Sequence, residues 1–242
     1  MKNIIYGIHS TAEALKQEES IDKLFVQKNL SSQNAKEVVR LAKEKKVQVS
    51  YVPIEKLNKL TQENHQGIVA KISPIQLYSI ENLVESAFKK TSSPLFLLLD
   101  QVSDVRNLGA IIRTAECTGV NGIILSKQGS AALNDQTVKT STGAIFNVPI
   151  CKVDHLKDAI FFLSSYDVKT IAATEKSNDL IYDVDLKGAI ALIMGSEGKG
   201  ITPSILKMVN HRAKLPLLGD IESLNVSVAC GAILFEAVRQ RL

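Results

Sequence analysis

Tryptophan is absent from the chain, cysteine occurs three times, and aromatic residues make up only 5% of its 242 positions. The cysteines, Cys117, Cys151 and Cys230, are odd in number, far apart and without Cys-x-x-Cys spacing, which argues against a disulfide framework and against a zinc site. Each is expected to fill a core position as a small apolar side chain. No segment approaches the ~18 consecutive apolar residues of a membrane span. The start, Met1-Lys2-Asn3-Ile4-Ile5-Tyr6-Gly7, lacks the apolar core and cleavage site of a signal peptide. The expectation is a cytoplasmic protein with no membrane partner. A hydrophobic content of 45% suffices for a packed core in one or two domains.

Acidic residues are also scarce in one place. Residues 1–75 hold 12 Lys and Arg against 8 Asp and Glu, whereas residues 76–242 hold 17 of each, so the net charge of +4 sits in the first third of the chain. That asymmetry points to a polyanion as partner of the N-terminal part. A solvated helix face enriched in lysine (Lys43, Lys45, Lys46) would give the same count.

Residues 4–7 and 24–27 read as strands, and residues 10–16 as a helix capped by Ser10. Ala35, Val38, Val39 and Ala42 recur at helical spacing and predict a helix over 34–45. Residues 47–52 alternate like a strand, Pro53 begins a short helix, and residues 67–72 close a compact α/β module. A Ser- and Pro-bearing stretch, 73–79, precedes a helix near 81–89 and the turn Ser92-Ser93-Pro94. The expected organisation is therefore a module over 1–75, a linker and helix over 76–93, and a second domain over 94–242. In that domain the apolar runs 95–99, 122–125, 168–173 and 189–194 alternate with helices, which indicates a parallel sheet covered on both faces. Asp154 is placed to cap a helix over 155–164, and Thr202-Pro203 to open another. Residues 226–239 form a long apolar helix whose stripe of Ala229, Ile233 and Ala237 can serve as core or as a dimer face.

Three polar clusters stand out against this background. The first is Asn107-Leu108-Gly109 followed by Arg113. A charge in an apolar helix needs a partner, either a structural salt bridge such as one with Glu197 or a phosphate or developing alkoxide. The second, Gly195-Ser196-Glu197-Gly198-Lys199-Gly200, follows a buried strand, where α/β proteins place ligand loops. It is not a P-loop, because Gly198-Lys199 is followed by Gly200, and not a dinucleotide fingerprint, because the third glycine position is Pro203. The third, Ser223-Leu224-Asn225, opens the last helix, where unpaired backbone N–H groups meet a hydroxyl and an amide.

Taken in order, these clusters resemble the three motifs of the SpoU (TrmH) branch of the SPOUT RNA methyltransferases: Asn-Leu-Gly with Arg, Gly-x-Glu-Gly, and Ser-Leu-Asn. Tyr6-Gly7-Ile8-His9, His65-Gln66-Gly67-Ile68-Val69-Ala70 and the ending Leu234-Phe235-Glu236-Ala237-Val238-Arg239-Gln240-Arg241 are similar to the RlmB subfamily of 23S rRNA guanosine-2′-O-methyltransferases. One departure is Asp104-Val105-Arg106-Asn107, where the family usually has proline after the aspartate. The resemblance implies an α/β trefoil-knot domain with a parallel sheet, preceded by a small ribosomal-protein-like α/β domain that binds substrate. It further implies a homodimer that binds 23S rRNA and uses S-adenosyl-L-methionine without a metal. Carried over by position, Gly195, Leu215 and Leu224 hold the cofactor through main-chain groups. Arg113, Asn107, Glu197, Ser223 and Asn225 form the catalytic set. Lys23, Lys28, Lys36, Arg40, Lys43 and Lys46 supply charge for RNA. With only Tyr6, Phe25 and Tyr51 as aromatics there, base stacking is a minor expectation.

Overall fold

The computed structural model describes residues 4–16, 21–45, 47–72, 75–221 and 223–242. Lys46, the segment Met1-Lys2-Asn3 and the Ser73-Pro74 part of the linker stretch lie outside them. The chain divides into two compact units, Met1–Gln76 and Leu77–Leu242.

The first unit runs β1 (Ile4–Tyr6), α1 (Ile8–Lys16), β2 (Ile21–Gln27), α2 (Gln33–Glu44), β3 (Gln48–Val52), α3 (Ile54–Leu60) and β4 (Ile68–Ile72). Its sheet order is β1-β4-β2-β3. β4 is antiparallel to β1 and β2, and β2 is parallel to β3. Alternation along the strands sends Leu24, Val26, Ile68 and Ala70 to the face covered by α1 and α2. Val52 and Val69 point to the opposite face, where they pack with Leu57 of α3 and with Phe25.

Ser32 caps α2 by accepting from the Ala35 N–H. Ser10 caps nothing, because α1 already begins at Ile8. The Ile8 N–H donates instead to Gln66 Oε1, 58 residues away, from a turn in which Gln66 has φ +51° and Gly67 φ +80°. The adjacent His65 is satisfied internally. The Gly67 N–H donates to its Nδ1 at 3.0 Å, which leaves the proton on Nε2 for Asn58 Oδ1 at 2.8 Å. The two N-terminal motifs thus form one device that holds the start of α1.

The second unit contains α4 (Ile80–Lys90), β5 (Leu95–Leu99), α5 (Val105–Cys117), β6 (Gly122–Ser126), α6 (Asp135–Thr140), β7 (Ile150–Val153), α7 (Leu156–Ser164), β8 (Lys169–Ala173), β9 (Ile190–Met194), α8 (Pro203–Leu206), β10 (His211–Ala213) and α9 (Val226–Arg241). Its six strands are all parallel, in the order β10-β8-β9-β5-β6-β7. Phe96, Leu98, Ile124, Ala191 and Ile193 pack with α4 and α7 on one face. The alternate residues Leu95, Leu97 and Leu99 are equally buried, so both faces are covered.

Three expectations fail in this unit. The edge strands β7 and β10 were not anticipated. Asp154 does not cap α7, whose N-cap is His155 without a side-chain bond, and its carboxylate pairs with Lys127 at 3.1 Å. Cys151 and Cys230 are buried, and burial pushes both thiols up to about 12, but Cys117, in the last turn of α5, is exposed.

No helix among the described residues is long and apolar enough to cross a membrane.

Candidate active site

In a parallel sheet the crevice outside the carboxyl ends of the strands is where ligand sites form. Here the ends of β8, β9 and β10 open into a cavity of about 600 Å³. Gly195, directly after β9, forms its floor. A Cβ at this position would lie 2.2 Å from the Gly200 carbonyl carbon and 2.4 Å from the Ile201 nitrogen, so only glycine lets the loop fold back. Ser196 and Gly200 close that loop with reciprocal backbone bonds of 3.2 and 2.9 Å. Gly198 and Gly200 take φ +84° and +67°, as the turn requires.

The first motif is fastened to the same loop. Asp100, buried at the end of β5, donates its N–H to the Met194 carbonyl at 2.8 Å, and its carboxylate accepts the Thr202 N–H at 2.7 Å. Asp104 then caps α5 by accepting from the Arg106 and Asn107 N–H groups at 2.8 and 2.9 Å. Val105 occupies the first helical position, which proline also tolerates, so the cap is intact without the family's proline.

The three motifs meet at the Asn225 amide. Its Oδ1 caps α9, accepting from the Ser227 and Val228 N–H groups at 2.9 and 3.4 Å and from the Ser227 hydroxyl at 2.5 Å. Its Nδ2 donates to Asn107 Oδ1 at 3.0 Å and to Glu197 Oε1 at 2.6 Å. Because the oxygen is committed to the helix cap, the amide cannot flip without losing both sets. Glu197 also accepts the Val226 N–H at 3.4 Å, which places a carboxylate at the positive end of α9. Asn107 is left with an Nδ2 that has no partner among the described residues, a donor ready for a ligand.

Gly195, Leu215 and Leu224 all line the cavity, as do Glu197, Ser223 and Asn225. Ser223 is exposed and makes no hydrogen bond among the described residues. Arg113 stands apart. It is exposed and makes no ion pair with a described residue, so neither the apolar surroundings nor the Glu197 bridge considered from the sequence is present. Helical geometry explains the separation: six residues after Asn107 is about 600° of rotation, which leaves Arg113 ~120° away around α5. Reading Asp100 and Thr202 as anchors of the site required the sheet order, which nothing in their local sequence signals. Among the described residues no cluster of three or more His, Cys, Asp or Glu side chains is placed to hold a metal ion.

Comparison with known proteins decides the family. The SpoU rRNA methylase profile matches residues 94–235, which include all three motifs. The chain belongs to the SpoU rRNA methylase family. It is therefore an RNA methyltransferase, and a second profile, RNA 2′-O ribose methyltransferase substrate binding, matches residues 4–78. The chain is 32% identical to a Bacillus subtilis protein named as a TrmH family tRNA/rRNA methyltransferase, over 98% of this chain and 95% of that one. It is 34% identical to one named likewise in Staphylococcus haemolyticus, over 98% and 96%. Among solved structures, an AdoMet-bound rRNA methyltransferase from Sinorhizobium meliloti aligns with TM-score 0.63 at 25% identity, over 99% of this chain and 87% of that chain. The SpoU methyltransferase AviRb from Streptomyces viridochromogenes, solved with AdoMet, shares the fold at TM-score 0.62 and 21% identity, over 98% and 90%.

Proposed function

We propose that the protein methylates the ribose 2′-hydroxyl of a guanosine in 23S rRNA, using S-adenosylmethionine, as a cytoplasmic homodimer of the RlmB type whose last segment is threaded through a trefoil knot. Residues 1–75 bind the RNA, 76–93 link, and 94–242 carry the chemistry. The observation that carries the chemical part is the Asn225 amide, which ties Asn107 of the first motif and Glu197 of the second to the start of α9 beside the cavity.

The cavity suits the cofactor. Its volume lies within the usual range for small-molecule sites, ~300–1,000 Å³, and its wall combines the backbone of the Gly195 loop with Leu215, Leu217 and Leu224. Gly195, Leu215 and Leu224 would hold it through main-chain groups. When bound, S-adenosylmethionine supplies an electrophilic methyl group on a sulfonium centre, which departs as a neutral thioether. The chain's own residues must then orient the ribose and stabilise the oxygen as its proton leaves. Asn107 offers its free Nδ2 to the ribose. Glu197 and Asn225 keep Asn107 in place, and Ser223 adds a hydroxyl at the cavity mouth. Arg113 supplies positive charge to the developing oxyanion or to the neighbouring phosphate. A guanidinium with a pKa above ~12 does not serve as a simple base, so the proton passes to the phosphate or to water.

The test is to map 2′-O-methyl groups in rRNA and tRNA from cells with and without the protein. Loss of one guanosine methyl in 23S rRNA is the expected result. Loss confined to tRNA would favour the other substrate class in the relatives' names, and no loss in either would overturn the assignment.

A further inference from the structure

The lysines of the N-terminal unit are not equivalent once their partners are known. On α2, Arg40 is engaged by both Glu37 and Glu44, so the helix neutralises part of its own charge. On the sheet face that α3 only partly covers, the opposite holds. Lys23 of β2 stands directly across from Lys71 of β4, and like charges in that position disfavour an antiparallel pair. In the next row of the same face, Phe25 pairs across Val69 with Tyr6, which is 38% exposed. The Lys23 and Lys56 ammonium groups lie 5.5 and 5.7 Å from the Phe25 ring centre. None of the three lysines forms an ion pair with a carboxylate among the described residues. Three cations and two aromatic rings thus share one face, held together against their own repulsion.

We infer that this face, built from Tyr6, Lys23, Phe25, Lys56 and Lys71, is where the N-terminal unit grips RNA. The inference rests on the reading of the protein as an RNA methyltransferase and adds which surface meets the substrate. Phosphates supply the counter-charge that the face lacks. The aromatic row gives an unstacked base something to lie against, as single-stranded RNA recognition requires. Of the lysines and arginine marked in the sequence, only Lys23 belongs to the face. Lys56 and Lys71 were not marked, because their approach to Lys23 depends on strand register.

The experiment uses full-length protein and in vitro transcribed, unmethylated 23S rRNA, with affinity measured across a salt series. The K23Q/K56Q/K71Q variant is compared with the charge-matched K89Q/K90Q/K187Q variant of the second unit, thermal unfolding serving as the control for folding. Each phosphate contact contributes roughly 0.7–0.9 to the slope of log affinity against log salt. The sheet variant should therefore lose about 2 to 3 from that slope and at least tenfold in affinity at low salt. Its melting temperature should be unchanged or raised, because repulsion has been removed. Equal slopes for the two variants, or a larger loss in K36Q/K43Q on α2, would overturn the inference while leaving the RNA substrate in place. Wild-type protein that neither binds nor methylates RNA would overturn the functional reading itself.

Discussion

In the second unit the polar groups of the site are spent on one another: both faces of the Asn225 amide are used, Glu197 is held by it, and Asp100 is locked to the following loop. In the first unit the cations of the sheet face find no carboxylate among the described residues and crowd around a phenylalanine. The two arrangements suit different tasks. Groups that satisfy each other are fixed before substrate arrives, which is what a reaction needs from its donors. Groups left in mutual repulsion gain most when an anion arrives, which is what recognition needs.

If this contrast holds, damage in the second unit should strike turnover and leave RNA affinity intact. The largest effect is expected from Arg113→Ala. Loss of one charge directed at the reacting oxygen should lower kcat by about 10²- to 10³-fold, with cofactor binding by calorimetry unchanged. Cofactor binding lost from a folded variant would move Arg113 into the cofactor site.

Asn225→Asp cuts finer, because aspartate keeps the oxygen that caps α9 but gives up the donor that links Asn107 and Glu197 and sets a second carboxylate beside Glu197. Activity should fall at least tenfold while the melting temperature changes little. Asn225→Ala should cost about 0.5–2 kcal/mol in addition, the usual range for a lost N-cap. Equal loss of stability in both would mean that the link matters to the fold rather than to the chemistry.

The smallest effect lies at the far end of α9. Hydrogen bonds from Arg239 and Gln240 hold the Glu236 carboxyl down to about 2, below its ordinary value of 4.5. A lowered folded-state value stabilises the protein above the ordinary value, and the benefit disappears as pH falls through that window toward 2. Arg239 is mostly exposed, so the effect is worth under about 1 kcal/mol. Glu236→Gln should flatten the acid limb of the stability curve between pH 4.5 and 2. An unchanged limb would remove the pair from the account.

The central strands were legible because Leu95–Leu99 and Ile190–Met194 are unbroken apolar runs, buried on both sides. The edge strands were not. His211-Arg212-Ala213 has a partner on one side only and exposes two of its three residues, so it carries little apolar signal. Local caps were read correctly where the partner is three residues away, as at Ser32, and wrongly where it comes from a distant turn, as with Gln66 at Ile8. The site followed the same rule. The motifs named Asn107, Glu197 and Asn225, but that one amide joins all three depends on a sheet order placing residues 118 apart within 3.0 Å. Arg113 was misplaced because six residues is not a whole number of helical turns.

The division of labour is tested most directly by RNA affinity across a salt series, measured for the full chain and for residues 77–242, with cofactor binding as the check that the shorter protein is folded. The first 75 residues carry the whole net charge of +4. The account predicts that the shorter protein binds cofactor as well as the full chain does, binds 23S rRNA weakly, and shows the shallower salt slope. Equal RNA affinities with equal slopes would contradict it and assign recognition to the catalytic unit.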